Sequence, residues 1–222
     1  NHTGILLMEF LHSKELENYI EACTTAEDEL LTELRRQTFL KTVYPRMISG
    51  PVQGKLLEFL VRMIQPLQVL EIGTFTGYSA ICMGRGLPEK GRLISIDLND
   101  ELHDFAWSFI EKAGLSTGIE LINGNALDLL PRMKAGFDLI FIDGEKTEYP
   151  DYLNACLPLL KKEGFMIVDN VLWDGKVLLN KEKQDESTRA VDTFNQMVRN
   201  DRRLEQVLLP IRDGLMLIRK IH

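Results

Sequence analysis

Four acidic side chains lie at or beside the ends of short apolar runs, where together they could bind a cation or a polyol. They are Glu71, Asp97, Asp143 and Asp169. If the runs are parallel strands, their carboxyl ends meet at one edge of a sheet, where such sheets bind ligands. Like charges crowded at one edge cost stability unless a bound group offsets them. For each acid taken alone, a cap for the following helix is the alternative interpretation.

Two of these acids and a neighbouring asparagine together favour a divalent cation. Asp143 follows one apolar run, and the pair Asp169 and Asn170 follows the next. Mg²⁺ prefers oxygen ligands and keeps positions for waters or substrate. No His or Cys lies nearby in sequence, which argues against zinc. The structural alternative is a helix cap at Asp143 and a turn at residues 169–170.

Lys146 follows Asp143 by three residues and is a candidate base. A divalent cation beside it would disfavour the ammonium form and lower its pKa into a useful range. Taken as a lone observation, Lys146 is better interpreted as a solvated surface lysine.

The turn Val69–Ser79 (VLEIGTFTGYS) predicts a cofactor site that does not cradle a pyrophosphate. Its two glycines, Gly73 and Gly77, lack the middle glycine of a dinucleotide fingerprint, and no Gly-Lys-Ser/Thr follows. Asp97, at the end of the next apolar run, could hydrogen-bond both hydroxyls of a ribose. With Gly124–Ala126 at a third strand end, the pattern is typical of a binding site for S-adenosylmethionine, a cofactor with a cationic methionine part and a neutral ribose. An ordinary ligand-free turn is the alternative.

The elements that must position these residues alternate between strand and helix patterns. Strands are predicted at Gln68–Ile72, Leu93–Ile96, Ile119–Ile122, Phe137–Ile142, Phe165–Val168, Val207–Pro210 and Leu215–Arg219. Helices are predicted at Glu27–Thr42, Pro51–Ile64, Tyr78–Leu87, Asp100–Ala113, Ala126–Met133, Tyr149–Leu160 and Glu186–Arg199. The alternation predicts a doubly wound α/β fold with a mostly parallel sheet. Asp213-Gly214 between the last two strands predicts an antiparallel hairpin.

Length and composition predict one domain over residues 1–222, with a helical extension over 1–50 and a core over 51–222. The chain has 222 residues and a net charge of −7, without clustered basic residues, so we expect no binding to nucleic acid. No apolar run is long enough to span a membrane, and Ile5–Leu7 is too short for a signal peptide. The three cysteines are far apart, which favours free thiols in the cytoplasm.

These residues together resemble the cation-dependent O-methyltransferases, the class of catechol and caffeoyl-CoA O-methyltransferases. The resemblance spans about Tyr44–Lys220 and rests on VLEIGTFTGYSA at 69–80, FDLIFIDGEK at 137–146, DNVLWDGKV at 169–177 and LLPIRDGLMLIRK at 208–220. It implies a Rossmann-like class I methyltransferase fold with a seven-stranded sheet. It also implies a homodimer.

The resemblance implies a role for each matching position. Asp143, Asp169 and Asn170 would hold Mg²⁺ or another divalent cation such as Mn²⁺ or Ca²⁺, with Lys146 and Asp143 at the reacting hydroxyl. Trp173 and Asp174 would contact the acceptor. The cofactor pocket would be formed by Met47, Ser49, Glu71, Gly73, Thr74, Ser79, Asp97, Leu98, Ala126, Asp143 and Glu145. Asp174 and Gly144-Glu145 depart from the residues usual in the family.

The activity implied is methyl transfer from S-adenosylmethionine to a hydroxyl of a catechol-like or hydroxycinnamoyl-like acceptor. Two alternatives stay open at this point. One is a nicotinamide-dependent oxidoreductase, against which the missing middle glycine speaks. The other is a catalytically silent module that binds the cofactor, against which the intact metal set and Lys146 speak.

Overall fold

The computed structural model describes residues 14–222, so residues 1–13 of the predicted helical extension, with the Ile5–Leu7 run, lie outside the described residues. The helices are α1 (Lys14–Cys23), α2 (Glu29–Lys41), α3 (Gly50–Ile64), α4 (Tyr78–Gly86), α5 (His103–Lys112), α6 (Ala126–Leu129), α7 (Tyr149–Cys156) and α8 (Glu186–Asn200). The strands are β1 (Gln68–Ile72), β2 (Arg92–Asp97), β3 (Ile119–Asn123), β4 (Phe137–Ile142), β5 (Leu160–Val168), β6 (Leu204–Leu209) and β7 (Leu215–Lys220).

The strands form one sheet in the order β3-β2-β1-β4-β5-β7-β6. The pairs from β3 to β5 are parallel, whereas β7 is antiparallel to both β5 and β6. This confirms the predicted doubly wound sheet and its C-terminal hairpin. The direction of winding reverses between β1 and β4, and in such sheets the crevice for ligands lies at that switch point.

The central strands are apolar on both sides because each side packs against helices. Val69 belongs to the core cluster on one side of the sheet and Leu70 to the cluster on the other. Both are fully buried, and burial of such a side chain contributes about 1.5–3 kcal/mol. Residues that alternate along one strand therefore stabilise two helical layers at once.

Local chemistry explains where the helices before the sheet begin and end. The Asp28 carboxylate accepts the Leu31 N–H at 3.0 Å and caps α2. Pro51 lies in the first turn of α3, where its missing N–H costs nothing. Gln65 ends α3 in the left-handed region at φ 53°, and Pro66 prevents the helix from continuing.

The largest differences from the predicted boundaries lie in two segments. The predicted helix Tyr149–Leu160 ends at Cys156, and β5 begins at Leu160 rather than Phe165. A register shift between β4 and β5 and a positive φ at Glu163 interrupt the apolar pattern that marks the strand. The predicted helix Ala126–Met133 is α-helical only over α6 and then tightens into a 3₁₀ turn, Leu130–Arg132.

Candidate active site

A cavity of about 1270 Å³ lies at the carboxyl ends of the central strands. It brings together most of the site residues predicted from the sequence, although they are spread along the chain. Its lining includes Met47, Ser49, Gly73, Thr74, Ser79, Asp97, Leu98, Ala126, Asp143, Glu145, Lys146, Asp169, Asn170 and Trp173. Two predicted residues, Glu71 and Asp174, are not among the residues that line it.

Gly73 allows the turn after β1 to touch the chain after β4. A Cβ at this position would lie 2.2 Å from the Asp143 carbonyl oxygen, and φ is +98°. The Gly73 N–H donates to Ile96 O at 2.9 Å, and the Asp143 N–H donates to Ile72 O at 2.8 Å. The absence of a side chain thus positions Asp143 directly beside the first turn.

Glu71 lies behind the cavity wall and supports it. Ser79 Oγ donates to Glu71 Oε1 and Ser95 Oγ donates to Glu71 Oε2, each at 2.5 Å. Complete burial raises the pKa of Glu71 to about 8, although both hydroxyls favour the charged form. Its part in a cofactor pocket is therefore to hold Ser79, which lines the cavity, rather than to line it.

Asp97 is anchored by the backbone at the end of β2. One oxygen accepts the Phe75 N–H at 2.7 Å and the other accepts the Asn99 N–H at 2.8 Å. These bonds orient a carboxylate that lines the cavity, and each oxygen keeps a lone pair for a ligand hydroxyl.

The predicted metal set converges on one side of the cavity. The Asp169 N–H bonds to Ile142 O at 3.0 Å, which places the end of β5 beside the end of β4. Burial raises the pKa of Asp143 well above its usual range; the Lys146 ammonium opposes that shift and the Asp169 carboxylate adds to it. A buried carboxylate at Asp169, a partly buried carboxylate at Asp143 and the adjacent amide of Asn170 are a donor set that fits a hard divalent cation.

Lys146 lies against the same carboxylate. Its ammonium donates to Asp143 Oδ1 and to Gly144 O, each at 3.0 Å, and lies 5.1 Å from the centre of the Tyr149 ring. Burial alone would lower the pKa of Lys146, but Tyr149 and Asp143 outweigh it and hold that pKa above its ordinary value. The predicted lowering concerned a site with a bound cation and stays a prediction.

The loop after β5 presents Trp173 to the cavity but not Asp174. Both residues have positive φ, at 48° and 53°. Asp174 is exposed, and its backbone N–H donates to Asp213 Oδ1 at 2.5 Å. The buried Trp173 Nε1 has no hydrogen-bond partner within residues 14–222. Of the two predicted acceptor residues, the structure thus brings only Trp173 to the cavity, because Asp213 holds the backbone of Asp174.

Three further residues at the site were not predicted from the sequence. Gln53 is fully buried and donates from Nε2 to Asp169 Oδ2 at 2.6 Å. Tyr149 donates its hydroxyl to Asp169 O at 2.9 Å. Arg212 lines the cavity from the β6–β7 turn. Arg212 lies within the LLPIRDGLMLIRK motif, which supported the family resemblance without indicating a role for this residue.

Two features of residues 14–222 bear on the expected classes of protein. In this part of the chain, no helix is both long and apolar enough to pass through a bilayer. The same residues contain no metal cluster of three or more His, Cys, Asp or Glu side chains. The predicted set differs from such a cluster because it has two carboxylates and one amide.

Comparison with known proteins identifies the family of this chain. A family model described as O-methyltransferase matches residues 21–221. The chain is 30% identical to a caffeoyl-CoA O-methyltransferase from Stellaria longipes, over 99% of this chain and 94% of the relative. It is 33% identical to a catechol O-methyltransferase from Niastella koreensis, over 83% and 85% of the two chains.

Solved structures of O-methyltransferases are also similar to this chain. The O-methyltransferase TomG from Streptomyces achromogenes, in complex with SAM, superposes with a TM-score of 0.87 at 30% identity and covers 94% of this chain and 96% of its own. An O-methyltransferase from Bacillus cereus, in complex with SAH, gives 0.86 at 29% identity, over 93% and 97%. The predicted methyltransferase fold is confirmed, and a nicotinamide-dependent oxidoreductase is not favoured. Because the family match and these superpositions span nearly the whole chain, this protein belongs to the O-methyltransferase family.

Proposed function

We propose that this protein transfers the methyl group of S-adenosylmethionine to a hydroxyl of a small catechol-like or hydroxycinnamoyl-like acceptor bound beside a divalent cation. The observation that carries the proposal is the convergence of Asp143, Asp169 and Asn170 on the cavity that the β1 turn also lines. Related chains are named for catechol and caffeoyl-CoA, and related structures hold SAM or SAH.

On the cofactor side, the chain offers an anion at the end of β2 and a hydroxyl at the start of α4. Asp97, held by two backbone N–H groups, would accept hydrogen bonds from the ribose hydroxyls. Ser79, held by Glu71, would meet the methionine part. Gly73 lets the turn after β1 approach Asp143 closely, so the cofactor side of the cavity lies next to the proposed metal set. S-adenosylmethionine supplies the electrophilic methyl group.

On the acceptor side, Asp143, Asp169 and Asn170 would hold Mg²⁺, Mn²⁺ or Ca²⁺. When bound, such a cation stabilises an acceptor hydroxyl in its deprotonated form. Asp143 and Asp169 would be charged in that state, because a cation favours the carboxylate. Trp173 would pack against the aromatic ring of the acceptor. The chain would thereby hold the oxygen in line with the methyl group, and correct positioning supplies much of the rate.

Lys146 is the proposed base. Its Nζ is held by Asp143 Oδ1 and Gly144 O, so it lies at the carboxylate that would also hold the cation. We propose that a bound cation lowers the pKa of Lys146, and that Nζ, then a neutral amine, accepts the proton of the acceptor hydroxyl. Lys146→Met should lower kcat with little effect on KM for the acceptor, because it removes a proton acceptor rather than a binding group. A rise in KM for the acceptor with unchanged kcat would refute the assignment.

The decisive experiment measures methyl transfer to a panel of 3,4-dihydroxy compounds, with added Mg²⁺ and after EDTA. We expect turnover that EDTA removes and Mg²⁺ restores. Asp169→Ala should abolish it while calorimetric binding of S-adenosylhomocysteine persists. Asp104→Ala on α5, whose carboxylate is fully exposed, is the matched control and should behave as the wild type. Undiminished turnover in EDTA would refute the metal role, and cofactor binding without transfer to any acceptor would favour the silent module.

We also propose that the protein is a homodimer that uses the outer side of α3 and the hairpin. Phe59 and Met63 on α3 are 52% and 70% exposed, and Val207 on the edge strand β6 is 50% exposed. A groove of about 450 Å³ runs between these elements. An exposed apolar surface of this kind marks an interaction site. Light scattering should give twice the chain mass, and Met63→Lys should give monomers; a monomeric wild type would contradict the proposal.

A cytoplasmic location completes the proposal, and it rests on the cysteines. Cys82 and Cys156 are buried and Cys23 is exposed, and all three are free. Free thiols are typical of a reducing compartment. Fractionation of cells that express the protein would test it, and recovery outside the cytoplasm would contradict it.

A further inference from the structure

The turn between β6 and β7 reaches across the cavity to the segment that precedes α3. Arg212 in this turn donates from Nη1 to Ile48 O at 2.9 Å and to Ser49 O, and from Nη2 to Arg46 O at 3.4 Å. This cofactor-side segment, defined as residues 46–49, contains Met47 and Ser49 of the proposed cofactor pocket. One side chain therefore binds three backbone carbonyls of a segment more than 160 residues away in sequence.

The same guanidinium is connected to the proposed metal set. Arg212 Nη1 donates to Gln53 Oε1 at 3.4 Å, and Gln53 Nε2 donates to Asp169 Oδ2 at 2.6 Å. Gln53 is fully buried in α3, so these two contacts determine the orientation of its amide. An amide can accept at one end and donate at the other, as this position requires. The hydrogen bonds run without a gap from the cofactor-side segment to Asp169.

The chemistry of Arg212 suits a positioning role better than a role in surface charge. Among residues 14–222 it forms no salt bridge, and its donors go to neutral oxygens. Its backbone adopts φ 50°, a conformation that non-glycine residues adopt at a cost. A planar guanidinium presents several donors in a fixed arrangement, which a lysine ammonium cannot reproduce.

We propose that Arg212 is a positioning residue with two separable effects. It holds the cofactor-side segment against the cavity, and through Gln53 it orients the Asp169 carboxylate. The first effect requires only that a cofactor binds in the cavity. The second rests on the proposed function, because it concerns a cation held by Asp169.

Cofactor affinity tests the first effect without any metal. S-adenosylhomocysteine is titrated calorimetrically in EDTA against the wild type, Arg212→Met, Arg212→Lys and Gln53→Leu. Both Arg212 variants should bind about tenfold more weakly, a loss of about 1.4 kcal/mol. Gln53→Leu should stay within about twofold of the wild type, because Arg212 keeps its carbonyl partners. Arg202→Met, which removes an exposed arginine before β6, is the matched control and should not differ from the wild type.

Cation affinity tests the second effect, with Mn²⁺ as the probe in the absence of cofactor. Gln53→Leu should weaken Mn²⁺ binding about tenfold, because Asp169 loses the donor that orients it. Arg212→Lys keeps the positive charge and should weaken Mn²⁺ binding by a similar factor. When Gln53→Leu and Arg212→Lys are combined, the two losses of Mn²⁺ affinity should not add, since both substitutions act through one hydrogen-bonded path. Melting temperatures of all variants confirm that they are folded.

The outcomes separate this inference from the proposed function. Wild-type cofactor affinity in Arg212→Lys would overturn the first effect, because charge alone would then suffice. Additive losses of Mn²⁺ affinity in the double variant would overturn the path through Gln53. If the wild type does not bind Mn²⁺ at all, the metal role in the proposed function fails and the second effect fails with it. The titrations in EDTA still decide the first effect in that case.

Discussion

Replacement of Gly73 by alanine would place a methyl group where the turn after β1 meets the chain after β4. The new Cβ would lie 2.2 Å from the Asp143 carbonyl oxygen, and contacts below 3.0 Å require something to shift. The obstacle is backbone, which the β1–β4 pairing holds in place. Overpacking of a rigid site costs about 1–3 kcal/mol. The φ of +98° adds about 1–2 kcal/mol for a residue with a Cβ.

Gly73→Ala should therefore lower the free energy of unfolding by about 2–5 kcal/mol. For a domain of this length, each kcal/mol lowers Tm by about 2–4 °C, so we expect a fall of roughly 4–20 °C in a thermal scan. The rate of methyl transfer should fall by more than the loss of folded protein accounts for, because the shift displaces Asp143 itself. Catalysis depends on positions within about 1 Å.

Gly114→Ala separates the two causes. Gly114 has a similar positive φ of +72°, but no atom lies within 4 Å of its ideal Cβ. This control should lose only about 1–2 kcal/mol and keep its activity. If Gly73→Ala were no less stable than Gly114→Ala, or retained full methyl transfer, the reasoning from the close approach to Asp143 would be wrong.

Three further predictions concern buried polar groups. The pKa of Glu71 is about 8 in the folded protein and 4.5 in the unfolded chain, so between these pH values Glu71 holds a proton in the folded state that it loses on unfolding. The free energy of unfolding should thus fall as the pH rises from 4.5 to 8. In urea titrations, the stability of Glu71→Gln relative to the wild type should rise by on the order of 2 kcal/mol between pH 6 and pH 9. A difference between the two proteins that does not change with pH would contradict this. Thr38→Val removes a buried hydrogen bond of 3.0 Å to Thr76 and should cost about 1–2 kcal/mol, measured by chemical denaturation, whereas an unchanged midpoint would refute its contribution. Tyr78→Phe removes a 2.6 Å bond to Glu27 and should lower Tm by a few degrees; a higher Tm would show that this bond does not stabilise α4.

Patterns within short stretches of sequence predicted most of the site. Asp143 and Lys146 lie three residues apart, and the structure joins them at 3.0 Å. Asp169 and Asn170 directly follow a buried strand, which is why both reach the cavity. In each case the chain itself carries the side chains to the same edge, because parallel strands end on the same side.

Such patterns predicted Glu71 and Asp174 as site residues but not that both lie outside the cavity lining. Glu71 lies on a strand whose two sides are both buried, so no alternation of polar and apolar residues indicates where its carboxylate points. Its partner Ser95 is on another strand, and the pairing register of β1 with β2 brings the two together. Asp174 follows Trp173 in sequence, yet Asp213 from the hairpin holds its backbone and it does not line the cavity.

The sequence by itself determined the order of strands and helices, the turn that lacks a phosphate cradle and the acids at the strand ends, since these depend on residues close together in the chain. Only the tertiary structure decided that Gln53 supports Asp169 across 116 positions and that Arg212 joins the hairpin to the segment before α3. Such contacts form when sheet register and helix packing bring distant segments within hydrogen-bond distance. No local pattern encodes that distance, because each partner alone is an ordinary glutamine or arginine.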